Sequence, residues 1–243
     1  MKTVAGLCLA LLIAGADAHA ACADIDIEFT ETTTPRIDRD QLARDLRTAV
    51  DKVCNWWGPT FSGRLIVDVL EQDRPSMALI PAWRGKLGHM FFSAETVRRG
   101  NAATVHEIAH VFAPNANRFL AEGLAVHAHD RLRGPPAFPN FGRDLMGEAR
   151  RHAEWADIAA LERLPTPTML LRKEQRAAYV VSGSFVRYII DRFDIEKFRK
   201  LYAMTPLVPG QRNAGDPARW LEVYGLPLDR LAQDWHSHLP PAP

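Results

Sequence analysis

Two neighbouring apolar segments of the chain carry polar side chains that a protein interior accepts only when they are compensated. The first segment contains the pentapeptide HEIAH at 106–110, and the second contains Glu122 within the apolar run FLAEGLAV at 119–126. Burial of an ionised carboxylate without a partner is strongly unfavourable. Glu122 must therefore be paired with a cation, protonated or bound to a metal ion, and this requirement constrains how the two segments pack.

Both segments are predicted to be helices that pack antiparallel to each other. The first is predicted at 101–113 and ends before a proline, because the residue that precedes proline disfavours helical geometry. The second is predicted at 118–133. The short connection between them turns the second helix back along the first, which brings Glu122 toward His110.

The spacing within the pentapeptide indicates a metal site on one face of a helix. His106 and His110 are one turn apart, so both imidazoles can reach the same ion. Glu122 is predicted as the third ligand, and this ligand set suits one Zn²⁺ per chain with an open fourth position. Glu107 lies beside that face, where it can accept a proton from a water on the metal. An ion pair with Arg118 is the alternative explanation of the buried Glu122 carboxylate.

Two further histidines on the second helix are weaker candidates for the site. A third histidine ligand six residues after His110 would fall on Ala116, which excludes that ligand arrangement. His129 shares a helix face with Glu122. Either it hydrogen-bonds to a metal ligand without contacting the metal, or it is an ordinary core or surface residue. The neighbouring pair of His127 and His129 also fits a zinc-binding protein without catalytic activity.

Strand patterns come first along the chain and helical patterns follow, which indicates an α+β fold. We expect a mixed or antiparallel N-terminal sheet with helices, and then a mainly helical part that carries the zinc site. A single domain is expected at 21–243, with a sheet-containing part at 21–113 and a helical part at 114–243. Strands are predicted at 25–29, 65–70, 77–81 and 89–93, a loop at 135–142, and further helices at 38–57, 145–164, 174–193, 195–204, 217–224 and 228–238.

Residues 1–20 are predicted to be a secretory signal peptide. Lys2 precedes an apolar stretch at 4–16, and AHA at 18–20 provides a cleavage site between small residues. The apolar stretch is too short to span a bilayer comfortably, although an uncleaved anchor is the alternative. The mature protein is therefore expected in the periplasm or outside the cell, with no stable insertion in the membrane.

Cysteine usage and net charge narrow the class of protein further. Export leaves Cys22 and Cys54 in an oxidising compartment, where they are predicted to form a disulfide, with two inert buried thiols as the alternative.

The net charge is +1 and the arginines are scattered along the chain. A nucleic-acid-binding protein concentrates basic residues on one face, so this class is not expected.

The pentapeptide, the segment FLAEGLA at 119–125 and the segment AYVVSGSFVRY at 178–188 together resemble the gluzincin metallopeptidases. The chain is most similar to their compact bacterial branch, called peptidase MA-like, and the resemblance covers about residues 89–205. It implies a zincin-like fold and a strand before the active helix that can pair with an extended peptide. It also implies one zinc ion held by His106, His110 and Glu122, with Glu107 as the general base.

In several gluzincins, a tyrosine on a later helix donates a hydrogen bond to the oxyanion, and Tyr179 matches that position. An ordinary core aromatic is the alternative for Tyr179. The chain lacks the Gly-x-Met-Glu-Asn segment of gluzincin aminopeptidases, which argues against exopeptidase action.

The resemblance implies an exported zinc metallopeptidase that hydrolyses peptide or protein substrates, with no prediction of its oligomeric state. The alternatives are an inactive peptidase-like protein of the cell envelope that binds zinc or a partner, and a hydrolase of a non-peptide amide such as cell-wall material.

Overall fold

A computed structural model describes residues 24–72, 76–79, 87–154, 157–163, 172–207 and 215–241. The predicted signal peptide and Cys22 lie outside these residues. Cys54 forms a disulfide. Because Cys22 lies outside the described residues, the predicted pairing of Cys54 with Cys22 stays a prediction.

Four strands form one mixed sheet near the N-terminus. The strands are β1 (Ile25–Phe29), β2 (Gly63–Leu70), β3 (Met77–Leu79) and β4 (Leu87–Ser93). Their order in the sheet is β1-β2-β4-β3, with β1, β2 and β4 parallel and β3 antiparallel to β4. The short strand β3 consequently lies at an edge of the described sheet, and the mixed form of the predicted sheet is confirmed.

Ten helices are found within the described residues, and they dominate the chain after β4. Each of them is too short or too polar to cross a membrane. The helices are α1 (Arg39–Trp57), α2 (Ala94–Arg98), α3 (Thr104–Phe112), α4 (Arg118–Arg131), α5 (Leu145–Arg150), α6 (Ile158–Arg163), α7 (Arg172–Phe193), α8 (Ile195–Ala203), α9 (Ala218–Tyr224) and α10 (Leu228–His238). The predicted order of strands first and helices second is confirmed.

The prediction of one continuous helix at 145–164 is wrong. The chain turns at 151–154, between α5 and α6, although apolar residues continue at helical spacing. The reason is a second start signal, because the Asp157 side chain accepts a hydrogen bond from the backbone of Ala160 at 2.9 Å. Helix α2 was not predicted either, and the Ser93 side chain caps it in the same way.

Two glycines allow α4 and α7 to pack closely. A Cβ atom on Gly123 of α4 would lie 2.7 Å from the carbonyl oxygen of Ser182 and 2.7 Å from a methyl carbon of Val186. Gly183 of α7 faces Val126 of α4 at similarly close range. The helices therefore meet at points where no side chain fits.

We expect Gly123→Ala to destabilise the protein by about 1–3 kcal/mol, because the added methyl group meets backbone rather than a movable side chain. Chemical denaturation measures this change. Gly147→Ala in α5 is the matched control, since its added carbon would meet only the carboxylate end of Asp144. An unchanged denaturation midpoint for Gly123→Ala would contradict the close packing of the two helices.

Candidate metal centre

Helix α3 is buried along its whole length and carries three of the predicted site residues. All nine of its residues are buried, because it packs between α1, α4 and strand β3. The helix ends at Ala113, whose carbonyl oxygen accepts a hydrogen bond of 2.7 Å from the Tyr202 hydroxyl. This buried setting holds the side chains of His106, Glu107 and His110 in a fixed frame.

The turn between α3 and α4 is fixed by asparagine side chains. Asn115 donates a hydrogen bond of 2.7 Å to the carbonyl oxygen of Tyr202 and accepts one of 2.8 Å from the backbone of Asn117. Asn117 caps α4 and also donates to Glu162 at 2.9 Å. Glu162 in turn pairs with the buried Arg219. This network sets the direction in which α4 leaves the turn.

The structure brings the three predicted ligands together as a buried triad, formed by His106, His110 and Glu122. The Nε2 atoms of the two histidines are 3.2 Å apart, and Glu122 Oε2 lies 3.2 Å from His106 Nε2 and 3.1 Å from His110 Nε2. Among the described residues, this is the one group of His, Cys, Asp or Glu side chains that can hold a metal ion.

The geometry of the triad fits a metal ion. With metal–ligand bonds of about 2.0–2.1 Å, the ligand atoms of a tetrahedral site lie about 3.3–3.4 Å apart. The three distances within the triad are close to this value and nearly equal. Two imidazole lone pairs at 3.2 Å repel each other unless a proton or a cation lies between them. A metal ion satisfies all three atoms at once.

Glu122 is compensated on both sides. Its Oε2 atom faces the two imidazoles, and its Oε1 atom accepts a hydrogen bond of 2.5 Å from Arg118 Nη2. Burial alone raises the pKa of Glu122, but His110, the two imidazole hydrogen bonds and Arg118 together lower it well below its usual value. The ion pair with Arg118 and the contact with the histidines therefore coexist, and the carboxylate stays ionised.

The two imidazoles of the triad differ in their proton affinity. Burial lowers the pKa of His110. Burial also opposes protonation of His106, but the hydrogen bond to Glu122 and the charge of Glu107 raise its pKa overall. The His106 Nδ1 atom has no hydrogen-bond partner among the described residues, whereas a metal-ligating histidine usually donates from its second nitrogen.

Glu107 lies in the same pocket with its carboxylate held by the edge strand. It is buried, and a contact with the backbone of Ala78 in β3 lowers its pKa. Burial raises its pKa to about 7, and the charge of Glu122 adds to this effect. A carboxyl group with such a pKa can accept and return a proton near neutral pH.

Tyr179 of α7 forms another wall of the pocket. Its ring stacks on His106 with 6.4 Å between ring centroids, and its hydroxyl hydrogen-bonds to Glu122. Burial raises the pKa of Tyr179 far above its usual value, so the hydroxyl stays protonated and can donate. Its predicted catalytic role stays a prediction, but the residue does lie beside the triad.

The triad, Glu107 and Tyr179 share a cavity of about 320 Å³. Its described wall also includes side chains from β3, from the loop after α4 and from the start of α7. These additional lining residues are Ser76, Met77, Ala78, Thr96, Asn101, Ala103, Arg118, Ala137, Phe138 and Gln175. We call this cavity the metal pocket.

Three features of the site were not predicted from the sequence. The Ala78 backbone contact to Glu107 depends on sheet order, which the sequence does not encode locally. The pair of Glu162 and Arg219 is far apart along the chain, although a buried glutamate in a helix could have signalled a partner. Phe138 was placed only in a predicted loop.

Comparison of the chain with protein family models, curated proteins and solved structures produced no match. The buried triad can hold a metal ion, and the pocket also contains a carboxyl group that can exchange a proton near neutrality.

The remaining candidate histidines of α4 belong to the core and not to the triad. The His129 Nε2 atom lies 2.7 Å from the carbonyl oxygen of Pro135. His127 packs edge-on against the Trp56 ring at 5.6 Å, and neither of its nitrogens has a hydrogen-bond partner among the described residues. Burial, aided by the nearby Arg131, lowers the pKa of His127 to about 3.

The buried His127 is expected to make the protein less stable in acid. The unfolded chain binds a proton at His127 below about pH 6.5, whereas the folded chain does so only near pH 3. Stability therefore falls by up to about 1.4 kcal/mol for each pH unit below 6.5. Between pH 7.5 and pH 5, His127→Leu should lose about 2 kcal/mol less than the wild type in chemical denaturation with chelator present. The same replacement at the exposed His236 is the control, and equal losses in all three proteins would contradict the assignment.

Arg118 is expected to increase metal affinity by orienting Glu122. Arg118→Met leaves Glu122 Oε1 unpaired and should weaken metal binding by roughly 10- to 100-fold. Competition with a chromophoric chelator measures the affinity. Arg64→Met is the matched control, because Arg64 pairs with Glu28 on the exposed surface. If both variants bind metal like the wild type, Arg118 does not act on the triad.

Proposed function

We propose that the protein is an exported zinc metallopeptidase of the gluzincin type that hydrolyses peptide bonds. The observation that carries this proposal is the presence of the triad and Glu107 in one pocket. A buried triad alone fits a structural metal site. A hydrolytic site additionally requires a neighbouring group that accepts a proton, and the Glu107 carboxyl group lies in the same pocket.

Zinc is the proposed ion because two imidazoles and one carboxylate, with a fourth position open, form a typical catalytic zinc site. When bound, it supplies a Lewis acid that lowers the pKa of a coordinated water to about 7 and polarises a carbonyl group. His106, His110 and Glu122 would hold the ion, and Arg118 would keep Glu122 ionised and oriented.

Glu107 is proposed as the general base and then the general acid. Glu107 directly follows His106 in the sequence, and its carboxylate is held by the contact with the Ala78 backbone. In its ionised form it accepts a proton from the attacking water. It then donates this proton to the leaving amine.

Tyr179 is proposed to donate a hydrogen bond to the oxygen that becomes negatively charged during attack. Its position supports this role, because its ring stacks on His106 and the residue lines the metal pocket. Strand β3 supports a peptide as the substrate, since it lies at an edge of the described sheet and borders the metal pocket. An extended peptide can add to such an edge through backbone hydrogen bonds.

The deciding experiment measures zinc content and peptide cleavage on the chain from Ala21 onward. We expect about one zinc per chain and cleavage that stops with a chelator and returns with zinc. Glu107→Gln should keep the zinc but lower turnover by roughly 10²–10⁴-fold, because it removes the base and preserves its shape. Glu122→Gln should bind zinc much more weakly.

Glu95→Gln on α2 is the control, since Glu95 is exposed and outside the pocket. Zinc binding without cleavage would favour the alternative function, that of an inactive zinc-binding protein of the cell envelope. Cleavage that survives Glu107→Gln would remove that residue from the mechanism. A chain that binds no zinc when zinc is supplied would overturn the proposal.

A further inference from the structure

Exposed apolar side chains gather at the mouth of the metal pocket. Single exposed apolar residues are ordinary, but a cluster of them marks a binding site. Among the described residues, the large apolar side chains that are exposed are Met77, Phe138, Phe141, Met204 and Leu221. Met77 and Phe138 line the metal pocket, and Phe141 contacts Phe138 edge-on at 6.2 Å between ring centroids. Three of the five thus lie together beside the triad.

The loop at 135–142, which we call the aromatic loop, is held in place by α7. Arg176 donates a hydrogen bond of 2.9 Å from Nε to the carbonyl oxygen of Pro139, and its guanidinium lies 5.8 Å from the centre of the Phe141 ring. Phe141 also has a φ of 51°, which is rare for a bulky residue. Both aromatic rings are therefore presented by a preformed backbone, so a ligand need not order the loop.

Phe138 connects the aromatic loop to the catalytic candidates. Its ring packs edge-on against Tyr179 at 5.3 Å, and Tyr179 stacks on His106 of the triad. A side chain that contacts Phe138 therefore sits next to the groups proposed to act on the peptide bond. The apolar surface is continuous with the reactive centre and does not form a separate patch.

Every charged side chain among the described lining residues already has a partner in the pocket. Glu122 uses both oxygens, Arg118 pairs with Glu122, and Glu107 accepts from the backbone of Ala78. A charged substrate side chain would lose its hydration there, and the counter-ions that it meets are already engaged with other groups of the pocket. An apolar side chain would instead gain free energy from the area that it buries.

We propose that the metal pocket is a subsite for one bulky apolar side chain next to the scissile bond of an extended peptide, with Phe138 as a specificity-determining residue. This inference rests on the proposed function and names the substrate class for the same site. The volume of about 320 Å³ supports it, because it lies at the lower end of the roughly 300–1,000 Å³ of ligand pockets. It admits a short part of an extended peptide and no folded partner.

The test compares peptides that differ only in the residue beside the scissile bond. The zinc-loaded protein should cleave a mixed peptide library preferentially at Phe, Tyr, Leu or Met. Phe138→Ser should lower kcat/KM for a phenylalanine peptide by roughly 10- to 100-fold and lower that for its alanine counterpart much less. Zinc content and thermal unfolding should not change. Leu221→Ser, which removes an exposed apolar side chain of α9, is the matched control.

A binding measurement separates this inference from the proposed function. The zinc-loaded Glu107→Gln variant is titrated with fluorescent peptides that carry phenylalanine or glutamate at the tested position. Tighter binding of the phenylalanine peptide, lost when Phe138→Ser is added, supports the subsite even if no peptide is cleaved. Cleavage without apolar preference, or with a preference that Phe138→Ser leaves intact, overturns the subsite alone. Absence of both cleavage and peptide binding overturns both proposals.

Discussion

The structure depends on how one buried carboxylate is compensated. Glu122 presents one oxygen to two imidazoles and the other to Arg118, so a single side chain connects helix α3, helix α4 and the pocket mouth. A buried ion pair contributes little net stability, but removal of one partner is strongly destabilising. These contacts therefore fix the position of the Glu122 carboxylate more than they add to the free energy of unfolding. A fixed position is what a metal ligand requires most.

The surrounding fold holds this carboxylate from several directions. The turn after α3 is tied down by Asn115 and Asn117, and α4 is pressed against α7 at Gly123. Both constraints act on the backbone of α4 close to Glu122. Because packed interiors resist small shifts, the packing of α4 sets the position of the Glu122 carboxylate oxygen.

Much of this was predictable from local sequence signals. The HEIAH spacing and the charge of Glu122 in an apolar run predicted the triad. The helix predicted at 38–57 agrees with α1, whose N-cap is Asp38. Features that depend on distant parts of the chain were not predictable. The break at 151–154 arises where a new cap outweighs apolar periodicity, and the Ala78 contact needs a strand order that no local pattern specifies. The exposure of Phe138 likewise follows from a loop anchored by α7.

The contact between Glu107 and Ala78 joins two tasks in one short strand. The same three-residue edge that would align a peptide also supplies the N–H group that lowers the proton affinity of Glu107. A ligand that shifts β3 by a few tenths of an ångström would therefore alter the basicity of this carboxylate. If Glu107 is the base that we propose, the alignment of a peptide at β3 and the proton affinity of Glu107 are then not independent.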